Sequence, residues 1–256
     1  MKILVCYKWV LDEQDIKIVP DTLALDAGRA KGKISDYDKH AIEAAMQLAD
    51  AADVDVLTFG TKTAKKSLKD VLSRGPGKAF YIMDDAFDKA DACVTANVLA
   101  AAIKKIGSYD LILCGEGSSD AYNEQITSRL AALLQITAVP FAEQMEPSGA
   151  YVRVVRKLDD SRESMTITGP AVVSVLPGIN KPRIPSLKEV LAASKKPSTE
   201  LKLAELGLDE AMLAPKTVRI STKGFVMNRK NIVYKASDAA ENVKAFVAAL
   251  KQEGVI

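Results

Sequence analysis

An α/β fold, with a parallel sheet covered by helices on both faces, is predicted for this chain by two patterns. Short apolar runs rich in Val, Ile and Leu recur through the first two-thirds of the sequence, each too short for a helix. Between them the apolar spacing becomes helical. The runs Ile3–Tyr7, Val54–Phe59, Ala79–Met83, Leu111–Cys114 and Ala171–Val175 read as buried strands. A first helix spans Asp36 to Asp50, with Ile42, Ala45, Met46 and Ala49 on one side. A second follows from Ala64, Leu68, Val71 and Leu72, and a third from Val98, Leu99, Ala102, Ile103 and Ile106. Ile126, Leu130, Leu133 and Leu134 form one face of a fourth.

One insertion breaks the rhythm. Pro147-Ser148-Gly149 and Asp159-Asp160-Ser161 are turns, and Ser164, Thr166 and Thr168 alternate with Met165 and Ile167. The period of two predicts an antiparallel hairpin excursion before the last core strand. After Gly178 the character changes again, with Pro182, Pro185, Pro197 and Pro215 among short apolar clusters. Ser186-Leu187-Lys188-Glu189 is a capping box that starts a short helix ending near Ser194. Residues 197–235 show weak periodicity. Ser237 is then expected to cap a final helix carrying Val243, Phe246, Val247 and Leu250 on one side, with Gly254 at its end. Two domains are expected: an α/β domain over residues 1–185 and an arm over 186–256 that packs back on the sheet or lies on a partner.

Composition narrows the chemistry. Of 256 residues, 35 are Lys or Arg and 33 Asp or Glu, a formal net charge of +2. That balance argues against wrapping duplex nucleic acid or coating an acidic membrane. Aromatics at 5% disfavour a single-strand stacking platform. One histidine excludes multi-histidine metal sites, and His40 reads as a solvated residue on the first helix. Cys6, Cys93 and Cys114 form no ligand pair, and Cys6 and Cys114 read as buried small hydrophobes. The N-terminal apolar run is too short to span a bilayer and is soon followed by Asp12, Glu13 and Asp15. It reads as the first strand of a soluble, cytoplasmic protein without membrane insertion.

In parallel sheets ligands gather at the carboxyl ends of the strands, where backbone N–H groups and helix N-termini converge. The richest such end is Gly115-Glu116-Gly117-Ser118-Ser119-Asp120-Ala121-Tyr122-Asn123-Glu124-Gln125-Ile126-Thr127-Ser128. Gly115 and Gly117 permit a tight turn and close approach to a ligand. Ser118, Ser119, Thr127 and Ser128 supply hydroxyls, and Asp120 and Gln125 can bond sugar hydroxyls, a base edge or backbone donors. The pattern reads equally as a Gly/Ser turn capping a helix. It contains neither a Gly-Lys-Ser/Thr phosphate loop nor G-x-G-x-x-G spacing, so a nucleotide there would be held rather than hydrolysed. Cys6-Tyr7-Lys8 closes the first strand, with Lys8 placed for phosphate or adenine. Phe59-Gly60-Thr61 closes the second. Ser35 is positioned to cap the first helix, with Asp36, Tyr37 and Asp38 following.

Taken in order, Lys2–Lys8, Asp38–Ala45 (DKHAIEAA), Leu57–Gly60 (LTFG), Asp70–Gly75, DLILCG with Asp120 and Gln125 beyond it, Pro170–Val175 and NKPRIPSLKEVLAASKKP form a specific set. The chain resembles the β subunit of electron-transfer flavoproteins, most closely the Fix-type branch, from the first strand to about residue 215. The resemblance implies a three-layer, Rossmann-like core of the adenine-nucleotide α-hydrolase kind and a heterodimer with an α subunit. It implies a redox-active FAD mainly on that subunit and a second nucleotide, FAD or AMP, on this chain. Carried over by position, the pocket would comprise Cys6, Lys8, Ser35 to Asp38, Phe59, Gly60 and Gly115 to Ile126, with Thr127 and Ser128 at the phosphates. A docking loop for acyl-CoA dehydrogenases falls at Leu187, with Lys195 and Lys196 beyond; other flavin dehydrogenases and a quinone oxidoreductase are the further implied partners. Such a subunit carries electrons and has no catalytic residue. The alternatives are a stand-alone nucleotide-binding module of the universal-stress type, against which the long tail counts, and a nucleotide-activating ligase, against which the missing phosphate-gripping lysine counts.

Overall fold

Period-two alternation sorts the side chains of the core strands onto two faces, both buried. Along β1 (Ile3–Cys6), Ile3 and Val5 join one apolar cluster and Leu4 and Cys6 the other. Between β1 and the first helix lie β2 (Trp9–Leu11), β3 (Lys17–Ile18), β4 (Leu25–Asp26) and β5 (Gly32–Ile34), forming two small ribbons, β2 with β5 and β3 with β4. Helix α1 (Asp36–Leu48) leads to β6 (Val54–Gly60), α2 (Ser67–Ser73) to β7 (Lys78–Met83), and α3 (Ala92–Ile106) to β8 (Leu111–Gly115). Helix α4 (Ile126–Leu134) is followed by β9 (Thr137–Ser148), β10 (Tyr151–Lys157), β11 (Arg162–Ile167) and β12 (Ala171–Val175). Then come α5 (Leu187–Ala193), β13 (Ser198–Glu200), the single turn α6 (Glu210–Leu213) and α7 (Ala239–Gln252). The computed structural model describes residues 1–227 and 229–256.

The nine-stranded sheet runs β11-β10-β9-β12-β8-β1-β6-β7-β13. All neighbours from β9 to β13 pair in parallel, whereas β10 runs antiparallel to both β9 and β11. The expected α/β architecture, with its antiparallel excursion, is therefore the observed one. Ile42, Ala45, Leu68, Val71 and Leu72 from α1 and α2 cover one face. Val98, Leu99, Ile103, Leu130 and Ala131 from α3 and α4 cover the other. Among the core strands, β1 stands in the middle. The chain leaves it towards β6 and β7 on one side and returns through β8 and β12 on the other. The crevice beyond the carboxyl ends of β1 and β8 is thus a topological switch point.

The chain divides into two compact units, Met1–Lys17 with Asp26–Thr222, and Ile18–Leu25 with Lys223–Ile256. The first contains the whole nine-stranded sheet and α1 to α6. In the second, Gly224 N–H bonds the Leu23 carbonyl at 2.7 Å, and α7 carries Phe246, whose ring centroid lies 6.2 Å from that of Tyr234. Among the described residues no helix is long and apolar enough to cross a membrane.

Several local readings are refined. The reciprocal capping box at Ser186 and Glu189 forms as expected. The final helix is capped by Asp238 rather than Ser237: the carboxylate accepts the Ala240 N–H, a geometry one residue later in the chain. β13 adds an edge strand to the weakly periodic stretch, its Ser198–Glu200 pairing with Ala79–Tyr81. A three-residue strand is too short to show a period. His40 is not a solvated bystander, since its Nδ1 faces the Asn180 backbone carbonyl at 3.1 Å, and Asn180 Nδ2 donates to the His40 carbonyl. Lys195 is exposed, whereas Lys196 is half-buried. Its ammonium donates to the carbonyls of Leu72, Gly75 and Pro76 at 2.9, 2.7 and 2.8 Å. These carbonyls lie at the end of α2 and in the turn beyond it, so the ammonium caps that end and ties the segment after α5 to α2.

Lys196→Met is expected to lower the urea-unfolding free energy by about 1–3 kcal/mol, because it strips charged hydrogen bonds from buried carbonyls. Lys195→Met should leave the same measurement unchanged. Equal effects would show that the cap contributes nothing.

Candidate functional site at the switch point

The site is organised around one carboxylate. Asp38, in the first turn of α1, accepts the Lys8 N–H at 2.7 Å and the Gly115 N–H at 3.1 Å. These two donors emerge at the ends of β1 and β8, where the sheet ladder no longer supplies both with carbonyls. Asp38 therefore joins both strands across the switch point while being almost wholly buried. Gly115 permits this approach: a Cβ there would lie 2.7 Å from Tyr37 Cβ and 2.8 Å from Asp38 Oδ1. A side chain at 115 would push α1 away.

The segment after Gly115 is held by its own polar groups. Ser35 occupies the N-cap position of α1 but makes no side-chain cap bond within its helix. Instead Ser119 Oγ accepts the Asp36 N–H at 3.1 Å, and Ser35 Oγ accepts the Ser119 N–H at 3.3 Å. The cap of α1 thus comes from the loop after β8, some 80 residues away in sequence. Lys8 Nζ donates to both Asp120 oxygens at 2.8 and 2.6 Å, and Ser118 Oγ donates to Asp120 Oδ1 at 2.7 Å. Tyr122 Oη donates to Glu116 Oε1 at 2.8 Å, and the Tyr122 ring lies 5.1 Å from that of Tyr37. Gly117 accommodates that ring, since a Cβ there would come within 2.6 Å of Tyr122 Cδ2. Both glycines therefore answer to neighbouring side chains of the protein.

Electrostatics follow from this packing. Burial pushes the Asp38 carboxyl up to about 7, against the opposing pull of the Lys8 and Gly115 N–H groups. Burial alone would also raise Asp120, but the Lys8 ammonium and Ser118 hydroxyl outweigh it and hold Asp120 below the ordinary range. Desolvation raises Glu116, and the hydrogen bond to Glu116 keeps the Tyr122 phenol protonated. The Cys114 thiol is driven up by its neighbour Cys6 and by burial, so both cysteines belong to the apolar floor. The Tyr7 phenol, bonded to Ser67 Oγ at 2.8 Å, is raised by burial.

Of the residues singled out from sequence, Lys8, Ser35, Asp36, Tyr37, Asp38 and Gly115 to Tyr122 converge on this rim. Phe59 and Gly60 end β6 beside β1, and the Phe59 ring packs edge-on against Phe87 at 4.9 Å. Asn123, Glu124, Gln125 and Ser128 are exposed, whereas Thr127 is buried. Gln125 precedes α4 without making a side-chain cap, which leaves the first-turn N–H groups available as donors. A cavity of about 190 Å³ adjoins this end, lined in part by Asp91, Cys93, Gln125, Arg129 and Lys216. Asp91, Lys216 and Thr217 escaped the sequence reading. Asp91 Oδ1 caps α3, and its other oxygen accepts the N–H groups of Lys216 and Thr217. The Asp-Ala-Cys start of α3 signals the cap, but nothing local announces the second pairing.

A mostly parallel sheet with helices on both faces and a topological switch point between β1 and β8 defines a doubly wound, Rossmann-like α/β protein. Compared with known protein families, residues 22–206 match the electron transfer flavoprotein domain. The chain belongs to that family, whose members take part in electron transport as flavoproteins.

The folded protein binds the Asp38 proton more tightly than an unfolded chain, whose carboxyl titrates near 4. The associated stability is complete below about pH 4 and is lost as pH rises through about 7. Urea titrations should therefore show wild type losing stability relative to Asp38→Asn between pH 4 and 7. A difference independent of pH would mean that Asp38 does not titrate in this way.

Proposed function

We propose that the chain is the β subunit of a heterodimeric electron transfer flavoprotein, and that its switch-point crevice holds an adenine nucleotide, FAD or AMP. The observation that carries this reading is the convergence of three chain segments, 6–8, 35–38 and 115–128, on one rim beside a helix start with free donors. Those donors suit phosphate oxygens, and the Ser118, Ser128 and Asn123 side chains suit ribose or phosphate. The residues at the rim fit such a group in their donor chemistry. When bound, a flavin supplies the redox chemistry; this chain contributes binding, orientation and local electrostatics. On this reading Lys8 and Asp120 hold the loop in register, Asp38 fixes the floor, and no side chain acts as a catalyst.

The arm from residue 186 onward supplies the partner surfaces. Leu187 stands 75% exposed at the start of α5, with Ile184 and Leu191 also exposed. It is the docking residue for an acyl-CoA dehydrogenase or another flavin dehydrogenase, assisted by Lys195. Lys196 contributes by fixing α5 rather than by meeting the partner directly. The apolar side of α7 is assigned to the α subunit, the electron acceptor is a quinone, ferredoxin or acyl-CoA reductase, and the complex works in the cytoplasm.

The deciding experiment is the absorbance spectrum and nucleotide content of the co-purified α–β complex. Two flavins per heterodimer assign FAD to this chain, and one flavin plus AMP makes it a simple carrier. A complex that retains no nucleotide beyond one flavin refutes the crevice assignment. Leu187→Ala should slow electron transfer to a dehydrogenase at unchanged nucleotide content; equal rates would place docking elsewhere.

A further inference from the structure

We infer that Tyr122 is the ring-binding residue of the crevice, its exposed face taking the planar heteroaromatic base of the nucleotide with Tyr37 as the neighbouring ring. The inference rests on the nucleotide reading above and gives that site a side chain that holds the base.

The backbone is the first indication. Tyr122 has φ 45° and Glu124 has φ 54°, left-handed conformations in two residues that have no intrinsic preference for them. Strain of this kind is retained where surrounding structure enforces it, and it concentrates at ligand clamps. Here the enforcement is visible in the side chain. The Tyr122 hydroxyl is pinned to Glu116 at 2.8 Å, and one edge of its ring rests over Gly117. The ring plane is therefore set before a ligand arrives.

The second indication is exposure. Although its hydroxyl and one ring edge are held by the protein, Tyr122 remains 46% exposed. Its only aromatic neighbour among the described residues is Tyr37, at 5.1 Å and a tilt of 46°. That geometry leaves stacking surface unused.

The third indication is what else the rim offers. Asp120 is already engaged by Lys8 and Ser118, and Ser119 by Ser35 and Asp36. With these polar groups satisfied inside the protein, the surface left for a flat ligand is aromatic. A pre-oriented ring loses little side-chain freedom on binding, and stacking on it tolerates either adenine or a larger fused ring.

Calorimetric titration of the full chain, alone or in its co-purified complex stripped of nucleotide, tests this with AMP, FAD and ribose 5-phosphate. Tyr122→Leu should weaken AMP and FAD about five- to a hundredfold, as loss of one stacked base predicts. Tyr122→Phe should stay within about threefold of wild type, because the ring persists without the hydroxyl. Ribose 5-phosphate, which lacks a base, should compete equally well in wild type and Tyr122→Leu. Unchanged AMP affinity in Tyr122→Leu, or equal losses in the leucine and phenylalanine variants, overturns the assignment. Parallel losses of AMP and ribose 5-phosphate overturn it too. Wild-type protein that binds neither AMP nor FAD refutes the nucleotide reading itself, which separates the two failures.

Discussion

A parallel sheet satisfies its backbone only as far as its strands run, and at a switch point two adjacent strands end with no third strand to receive them. Here one buried carboxylate meets that demand. Asp38 takes the Lys8 and Gly115 N–H groups together, and it sits in the first turn of α1. Three elements far apart in sequence are thereby fixed by a single side chain. The position of α1 relative to β1 and β8, the need for glycine at 115 and the path of the loop beyond it all depend on this contact. Charge-assisted bonds to backbone donors are stronger than neutral ones, which lets a carboxylate survive in an interior that otherwise disfavours its charge.

The loop from Glu116 to Gln125 extends the same logic. Its serines complete the cap of α1, its aspartate receives Lys8, and its tyrosine folds back over a glycine onto Glu116. A loop bonded in this way is organised before any ligand binds, so little ordering is left for the binding event. The left-handed residues at Tyr122 and Glu124 are the local expense of holding the shape.

The arm presents a different physical situation. Helix α7 has no buried residue, and Val243 and Phe246 on its apolar side are exposed, as are Phe225, Val226 and Met227 before it. Val243 and Phe246 stand about one turn apart on this amphipathic helix, on the side whose other apolar residues, Val247 and Leu250, are half-buried. The candidate site lies in the first unit, and exposed apolar side chains occur along α7 in the second.

Strand and helix identities were legible in the linear sequence because their cause is local. Ile3 to Cys6 or Leu111 to Cys114 must be strands on length and branching alone, and the spacing of Ile126, Leu130, Leu133 and Leu134 must be a helix. The location of the candidate site was legible for a related reason, since parallel strands expose donors at their carboxyl ends whatever their side chains. The pairings between side chains were not. Ser35 looked like the cap of its own helix, Gly117 like a tight turn and Lys196 like part of a docking surface. Each has a partner between 5 and 124 residues away that spacing did not announce: Ser119, Tyr122 and the end of α2. Local spacing determines which backbone conformation is cheapest, and so the sequence by itself determined the core strands, the larger helices and the rim, but not the short ribbons β2 to β5 or the edge strand β13. Hydrogen-bond partners across the switch point depend on how those elements are brought together in space, and only the tertiary structure decided them.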